Sequence, residues 1–294
     1  MSFLTTFVNG LSLGSIYAII ALGYTMVYGI AKMLNFAHGD FIMVGCYIIF
    51  MFSSGLGLPP FISIPIAVVL CTVLGVTTER VAYRPLRNAA SPLAVLITAI
   101  GVSYFLENLA LLIFGADTKS FSSVITWSGL SLFNGELQIQ GITIVTIAVS
   151  LFILLVLQLF VHKTKEGQAM LAVSQDRGAA MLMGIDVNKT ITLTFAIGSA
   201  LAAVAGALLA SAYPSLTPYT GAMPGIKAFV AAVLGGIGSI PGAMIGGLAL
   251  GIIEILSRTY ISSQLADAIV FGILVVVLLV KPTGILGKKI QEKV

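Results

Sequence analysis

The sequence is dominated by long apolar segments separated by short polar ones, and this alternation limits the folds open to the chain. Residues 7–30 form the first segment and contain no charged side chain. At about 1.5 Å per residue, a helix of this length crosses a hydrocarbon core of about 30 Å. Only 9% of all residues are charged, against roughly a quarter in a soluble domain. We therefore predict an all-α polytopic membrane protein.

About eight or nine membrane segments are expected, some of them short and broken. Residues 41–52 extend only about 18 Å as a helix, so this helix either begins part-way into the membrane or tilts among short neighbours. Residues 225–237 and 243–256 form either a re-entrant hairpin, which gives eight segments, or two tilted spans, which gives nine. The other expected segments are residues 61–78, 93–114, 142–161, 191–212 and 265–280.

A polar stretch, KMLNFAHGD at residues 32–40, follows the first segment. Non-helical backbone at membrane depth is tolerated only where protein buries it or where it lines a polar cavity. We therefore predict that this stretch shapes a gate or part of a transport path, with Asp40 capping the short helix that follows. The alternative is a purely structural helix start with a buried histidine. The candidate gate or path residues here are Asn35, His38, Gly39 and Asp40.

Glu107 lies inside the segment at residues 93–114. A charged carboxylate at the centre of a membrane helix costs roughly 2.5 to 3.5 kcal/mol on insertion scales, and such residues are therefore functional candidates. Water, a hydrogen bond or protonation has to offset this cost. We expect either a structural contact with another helix or a role at the transport path or its outer gate.

The interval at residues 163–189 is polar but contains apolar runs at 169–173 and 179–183. This pattern favours one or two short helices at the membrane surface. We expect Asp176 to cap the second helix and Gly184 to end it in a left-handed conformation. Apolar residues on such a segment predict contact with another protein, whereas the alternative is an amphipathic helix that lies on the membrane without a partner.

The basic residues predict the orientation of the chain. The tail, residues 163–189, the predicted loop at 79–87 and Lys32 together hold twelve of the fifteen lysines and arginines. Because cytoplasmic loops are enriched in these residues, this side is expected to be the cytoplasm. The C-terminus is then cytoplasmic and the N-terminus is outside. Residues 7–30 lack a basic leader and a cleavage site, so we interpret them as a first span and not as a removable signal.

Several functional classes find no support in the sequence. No phosphate loop of the Walker type occurs, no HExxH or GxSxG arrangement suits catalysis, and no basic cluster with interleaved aromatic residues indicates nucleic-acid binding. Cys46 and Cys71 lie within apolar segments and are expected to be packing residues. We predict no cofactor and no metal site. An ion-coupled secondary transporter remains an alternative, using Glu107 with Asn108 or His38 with Asp40.

Three stretches resemble one known family. Residues 14–45 read GSIYAIIALGYTMVYGIAKMLNFAHGDFIMVG and look like the N-terminal signature of permease subunits of branched-chain amino acid ABC importers. Residues 166–208, beginning EGQAMLAVSQDRGAAMLMGID, resemble the coupling region and the following span of that family. Residues 234–254, LGGIGSIPGAMIGGLALGIIE, are similar to its glycine-rich late segment.

This resemblance implies a type II ABC importer-like permease fold, with residues 1–294 as one transmembrane domain in a bacterial inner membrane. It implies a second homologous permease subunit, two cytoplasmic ABC ATPase subunits and a periplasmic or extracellular substrate-binding protein, so ATP hydrolysis belongs to separate chains. The expected substrate is a branched-chain amino acid, with urea or short amides as the alternative. The residues expected to couple to the ATPases are Glu166, Gly167, Asp176, Arg177, Met181, Leu182 and Gly184.

Overall fold

A computed structural model describes residues 3–87, 92–120, 127–132 and 137–287. This part of the chain is mainly helical, with two small antiparallel strand pairs. The helices are α1 (Phe3–Ala31), α2 (His38–Phe50), α3 (Pro60–Thr78), α4 (Pro92–Phe114), α5 (Gly141–Lys163), α6 (Lys165–Gln175), α7 (Arg177–Leu182), α8 (Val187–Ala212), α9 (Ala222–Gly235), α10 (Ile240–Tyr260) and α11 (Ala266–Val280). The strands are β1 (Lys119–Ser120), β2 (Leu130–Leu132), β3 (Leu137–Ile139) and β4 (Ser215–Leu216).

Within the described residues, seven helices are long and apolar enough to cross a membrane. α9 and α11 are shorter apolar helices of 14 and 15 residues. The predicted all-α polytopic class with short broken helices is therefore confirmed. α10 has 21 residues and so reaches spanning length, although residues 243–256 alone predicted a shorter helix.

Two helices continue beyond their predicted ends. α2 passes into a π-helical turn at Met51–Gly55, so the apolar helix has 18 residues and not twelve. α3 passes into a π-helical turn at Glu79–Tyr83 and a 3₁₀ turn at Arg84–Leu86. The predicted loop at residues 79–87 is therefore wrong for most of its length, because ion pairs within the protein compensate the charge of Glu79 without a break in the helix.

α1 lies at the centre of the protein. In its most apolar stretch 89% of the residues are buried, against 17% for α4. Its most extensive contact is with α10, where glycines allow the two backbones to approach closely. A Cβ atom on Gly14 would lie 2.8 Å from the Leu248 Cα atom, and one on Gly251 would lie 2.1 Å from the Gly14 nitrogen. Small residues allow this close approach, which membrane helices use in place of a hydrophobic driving force.

α4 and α5 lie at the periphery and expose apolar side chains. Leu112 of α4 is 84% exposed and Leu155 of α5 is 62% exposed. In water such faces would be unfavourable, but a lipid bilayer or a neighbouring membrane subunit covers them without cost. The exposed apolar faces of α4 and α5 therefore indicate that these helices lie against lipid or against another membrane subunit.

The connections between spans also meet in space. β1 and β4 pair in antiparallel register, with Lys119 opposite Leu216, and so join the connection after α4 to the connection after α8.

Cys46 and Cys71 are both buried and free, as predicted for packing residues. Lys288, Lys289 and Lys293 of the predicted basic tail lie outside the described residues.

Replacing Gly251 by Val tests the α1 and α10 contact. We expect a loss of about 1 to 3 kcal/mol in stability, because the added side chain overlaps the backbone of α1. Thermal unfolding of the purified chain in detergent measures the effect. Gly101→Val is the matched control, since a Cβ atom on Gly101 of α4 has nothing within 4 Å. Equal unfolding temperatures for the two variants would contradict the importance of this contact.

Candidate translocation groove and coupling segment

Two helices begin against each other inside the protein. α2 follows the non-helical residues 32–37, and α9 follows residues 213–221. A Cβ atom on Gly39 would lie 2.7 Å from the Gly221 carbonyl oxygen, and one on Gly221 would lie 1.8 Å from the Gly39 oxygen. Neither position has room for a side chain. The positive ends of two helix dipoles therefore meet in one region.

This region opens into a groove with a volume of about 330 Å³. Asp40 is only 3% exposed, and its carboxylate forms a hydrogen bond with the Ser103 side chain on α4. Glu107 lies one helical turn further along α4. The structure therefore brings together three of the five residues predicted for a gate or path, although they come from distant parts of the sequence. The predicted residues that line the groove are Gly39, Asp40 and Glu107, and Tyr24, Ser103, Tyr104 and Gly225 lie beside them.

The expected cap of α2 is not formed. Ala37 is the residue at the N-cap position, and no side chain accepts a hydrogen bond there. Asp40 lies in the first turn of the helix instead, so the prediction that it caps α2 is wrong. Its charge still opposes the positive end of the helix dipole, which favours an acidic residue in the first turn, while its carboxylate turns toward α4.

Asn35 and His38 lie next to the groove without lining it. The Tyr83 hydroxyl donates a hydrogen bond of 2.8 Å to the Asn35 side-chain oxygen. The His38 ring is buried against α1, with its centroid 4.6 Å from that of Tyr24 and its atoms in the space that a Cβ atom on Gly23 would fill. These contacts hold the start of α2 in position. A direct role for Asn35 and His38 in a gate stays a prediction.

The predicted coupling segment forms two short helices, α6 and α7. The Asp176 side chain accepts a hydrogen bond of 3.0 Å from the Ala179 N–H and so caps α7. Gly184 has a φ of +81°. The Gly184 N–H bonds the Met181 carbonyl and the Ile185 N–H bonds the Ala180 carbonyl, a pattern that ends a helix in a left-handed residue. Both predicted helix boundaries are confirmed.

The same segment presents an apolar surface to its surroundings. Met181, Leu182 and Met183 are 61%, 90% and 82% exposed. Glu166 is also exposed, whereas Gly167 is buried where a Cβ atom would lie 2.3 Å from the Phe160 carbonyl oxygen. Three adjacent exposed apolar side chains outside a membrane-spanning helix are costly in water, so they mark a surface for contact with protein or lipid.

Arg177 links the coupling segment to the central helix. Its guanidinium donates a hydrogen bond to the carbonyl oxygen of Ala31, the last residue of α1. A cation at this position is favourable, because the last carbonyls of a helix lack partners within the helix and carry partial negative charge. This bond joins the first residue of α7 to the last residue of α1, and six residues separate that end of α1 from the start of α2.

A buried ion-pair cluster anchors the end of α3 to α8. The Glu79 side chain is fully buried and pairs with Arg84 and Arg87. It also accepts a hydrogen bond of 2.7 Å from the Thr192 hydroxyl on α8. The sequence instead predicted a basic loop at this position. One signal in the sequence could have located the cluster. Glu79 is a single acidic residue directly after a span, and arginines follow it five and eight residues later.

A second buried network joins four helices, α1, α9, α10 and α11. The Lys227 amine of α9 is 2.7 Å from one Glu254 oxygen of α10 and 2.6 Å from an Asp267 oxygen of α11. Arg258 also bonds Glu254, and the Tyr17 hydroxyl of α1 donates to it at 2.9 Å. The two cations and the two carboxylates balance. The sequence prediction left Lys227 and Arg258 unexplained, although charged residues within apolar segments indicated that each needs a partner.

Comparisons with known proteins decide the family. The family model described as the branched-chain amino acid transport system permease component matches residues 6–279. The chain belongs to this family. It is 45% identical to the high-affinity branched-chain amino acid transport system permease protein LivH of Salmonella typhimurium, over 99% of this chain and 98% of that protein. It is 44% identical to the protein BraD of Pseudomonas aeruginosa, with the same coverage.

As a member of this permease family, the chain is a multi-pass membrane protein of a transport system. The family resemblance in the sequence is therefore confirmed. A more distant relative is the autoinducer 2 import system permease protein LsrD of Escherichia coli O9:H4, which is 28% identical over 93% of this chain. Proteins with related sequences thus carry names for chemically different substrates, and the substrate of this permease depends on its own residues.

In this permease, Glu254→Gln tests the buried network. We expect a loss of about 3 kcal/mol or more in stability, because removing one member of a buried ion pair leaves its partners uncompensated. Asp267→Asn is the matched comparison: Asp267 is 43% exposed although its partner Lys227 is buried, so we expect a smaller loss than at the fully buried Glu254. Thermal unfolding in detergent distinguishes the two. A loss for Asp267→Asn as large as that for Glu254→Gln would contradict the central position of Glu254.

Proposed function

We propose that this chain is a transmembrane permease subunit of an ATP-driven importer for branched-chain amino acids. It forms the transport path together with a second homologous permease subunit. Two cytoplasmic ABC ATPase subunits supply the energy, so the chain itself is not an enzyme, and a periplasmic or extracellular substrate-binding protein delivers the substrate. The observation that carries this proposal is the groove in which two helix starts meet beside the carboxylates of Asp40 and Glu107.

The groove suits a zwitterion with an apolar side chain. Moving the charges of a free amino acid into a membrane is costly unless each charge finds a partner. The carboxylates of Asp40 and Glu107 are suitable partners for an ammonium group. The positive dipole ends of α2 and α9 favour a carboxylate. Leu96, Ile100 and Ile226 supply apolar walls for a branched side chain. Asn35 and His38 then support the helix start that forms one side of the path.

The coupling segment at residues 163–189 is proposed to dock on an ATPase subunit. Its exposed residues Met181 and Leu182 form the contact, while Asp176 and Gly184 fix the ends of the helix that carries them. Closure of the ATPases then moves α7. Through the Arg177 bond to Ala31, this movement reaches α1 and the start of α2. The segment therefore connects ATP-driven motion to the groove.

The proposed orientation places residues 163–189 and the C-terminus in the cytoplasm of a bacterium and the N-terminus outside. It rests on the distribution of lysines and arginines. Lys227 and Arg258 do not weigh against it, because carboxylates inside the protein neutralise both. Of the fifteen basic residues, Lys119 alone is then left for an outer connection, where β1 pairs with β4.

Reconstitution tests the proposed function as a whole. The chain, coexpressed with its neighbouring transport genes and purified through an affinity tag, is expected to retain a second permease and two ATPases. In proteoliposomes with the binding protein, this complex should take up leucine only when ATP is supplied. Leucine uptake by the isolated chain, driven by an ion gradient without ATP, would instead support a secondary transporter. Competition by urea or acetamide would support the amide alternative.

Glu107→Gln tests the groove. The substitution keeps the shape of the side chain and removes its charge, so we expect normal assembly with uptake of leucine reduced roughly tenfold or more, as for the loss of a hydrogen bond to a charged group. Asn108→Ala is the matched control. Asn108 is the next residue on α4, but its side chain bonds the Tyr104 carbonyl and lies outside the groove. Unchanged uptake in Glu107→Gln would exclude an essential charge at this position.

Met181→Glu and Leu182→Glu test the docking surface. A carboxylate at the centre of an apolar contact has to be desolvated without a partner, so we expect each variant to insert normally but to lose the ATPase subunits on purification. Gln175→Glu adds the same charge at an exposed position at the end of α6 and should assemble as the native chain does. Copurification measured by gel densitometry gives the readout. ATPase retention at native levels in both apolar-site variants would refute docking through this surface.

A further inference from the structure

A second cavity, with a volume of about 530 Å³, lies where three membrane helices end or begin. α1 ends at Ala31, the helical extension of α3 ends at Leu86, and α4 has Leu93 in its first turn. All three residues line the cavity. Because the apolar spans stop at this level, the cavity lies at the boundary between the hydrocarbon core and the polar headgroups.

The walls of this cavity are of two kinds. One wall is apolar, with Leu34, Val95 and Leu96, and Leu93 is 63% exposed at its edge. The other carries the cations of Lys32, Arg87 and Arg177. A ligand that fits both walls has an anionic group joined to a long apolar chain, and the exposed edge at Leu93 leaves room for that chain to continue into the bilayer.

Positive charge is in excess around the cavity. Arg87 pairs with the buried Glu79, which it shares with Arg84. Arg177 is bonded to a neutral carbonyl group. Lys32 has neither an ion pair nor a hydrogen bond from its side chain within the described ranges. Three cations therefore line the cavity and no acidic side chain is among its described lining residues, so an anion in the cavity would relieve the repulsion among them.

The backbone holds Lys32 in this position. Lys32 has a φ of 53°, the only positive value among non-glycine residues in the described part of the chain. Such a conformation is costly for a residue with a Cβ atom and persists only where the surroundings determine it. Burial lowers the pKa of Lys32, and the nearby Arg177 charge lowers it further. The fold therefore keeps two cations close together at a cost.

We propose that this cavity, lined by Lys32, Arg87 and Arg177, binds the phosphate of an anionic phospholipid, with an acyl chain against the α4 wall at Leu93, Val95 and Leu96. In the proposed orientation the lipid belongs to the cytoplasmic leaflet. Bound there, it lies between the end of α1 and Arg177 of the coupling segment. The lipid composition of the membrane would then influence the link through which α7 moves α1.

Native mass spectrometry of the purified full-length chain tests this site. The chain is titrated in detergent with phosphatidylglycerol or with phosphatidylcholine of the same acyl chains. We expect retained phosphatidylglycerol and weaker binding of phosphatidylcholine. Lys32→Asn should lower the affinity for phosphatidylglycerol roughly five-fold, the effect of one cation near an anionic lipid. Asparagine tolerates a positive φ, so this variant should fold, and Lys32→Arg should bind as the native chain does.

Lys163→Asn is the matched control, because Lys163 is exposed at the end of α5 and does not line the cavity. Equal affinities of Lys32→Asn and Lys163→Asn for phosphatidylglycerol would overturn the proposal. So would equal binding of phosphatidylcholine, or displacement of the lipid by inorganic phosphate, which would indicate a free anion. Displacement by leucine would assign the cavity to the transport path. The measurement involves no transport, so its outcome is independent of the proposed function.

Discussion

The close approach of glycine backbones is the constraint on which the rest of this structure depends. In a bilayer, lipid tails compete with apolar side chains for every helix surface, so helices associate through dense packing and polar contacts. Along α1 and α10, Gly14 and Gly251 supply this density. Gly39 and Gly221 do the same at the starts of α2 and α9. The helix ends can therefore face each other within the protein, and the groove lies beside that meeting point.

Two buried polar clusters provide further contacts between the helices. The cluster at Glu79 fastens α3 to α8, and the network at Glu254 fastens α1, α9, α10 and α11 to one another. At the groove, the Asp40 carboxylate has the Ser103 hydroxyl and its own backbone N–H as neutral partners, and Glu107 remains partly open to the groove. The carboxylates that hold the fold together are thus saturated with cations, whereas those at the groove keep capacity for a ligand.

The sequence was sufficient for features that depend on neighbouring residues. The apolar runs predicted nearly all spans, and the Asp176 and Gly184 signals predicted both ends of α7, because caps act within a few positions of the chain. Contacts between residues that are far apart in the sequence could not be predicted from it. Glu79 meets Thr192, 113 positions away, so a basic loop was the expected reading. Gly39 was selected as a path residue, but its contact with Gly221 requires the packing of α2 on α9.

The network around Lys227 also has a consequence for how the protein is made. Lys227 lies in a short apolar helix, and its two carboxylate partners follow 27 and 40 residues later in the chain. During synthesis the N-terminal part of a chain is completed first. When α9 leaves the ribosome, its lysine therefore has no partner, and burial in lipid is costly. We therefore expect α9 to reach its final depth only after α10 and α11 have been made, so that residues 222–280 enter the membrane as a group.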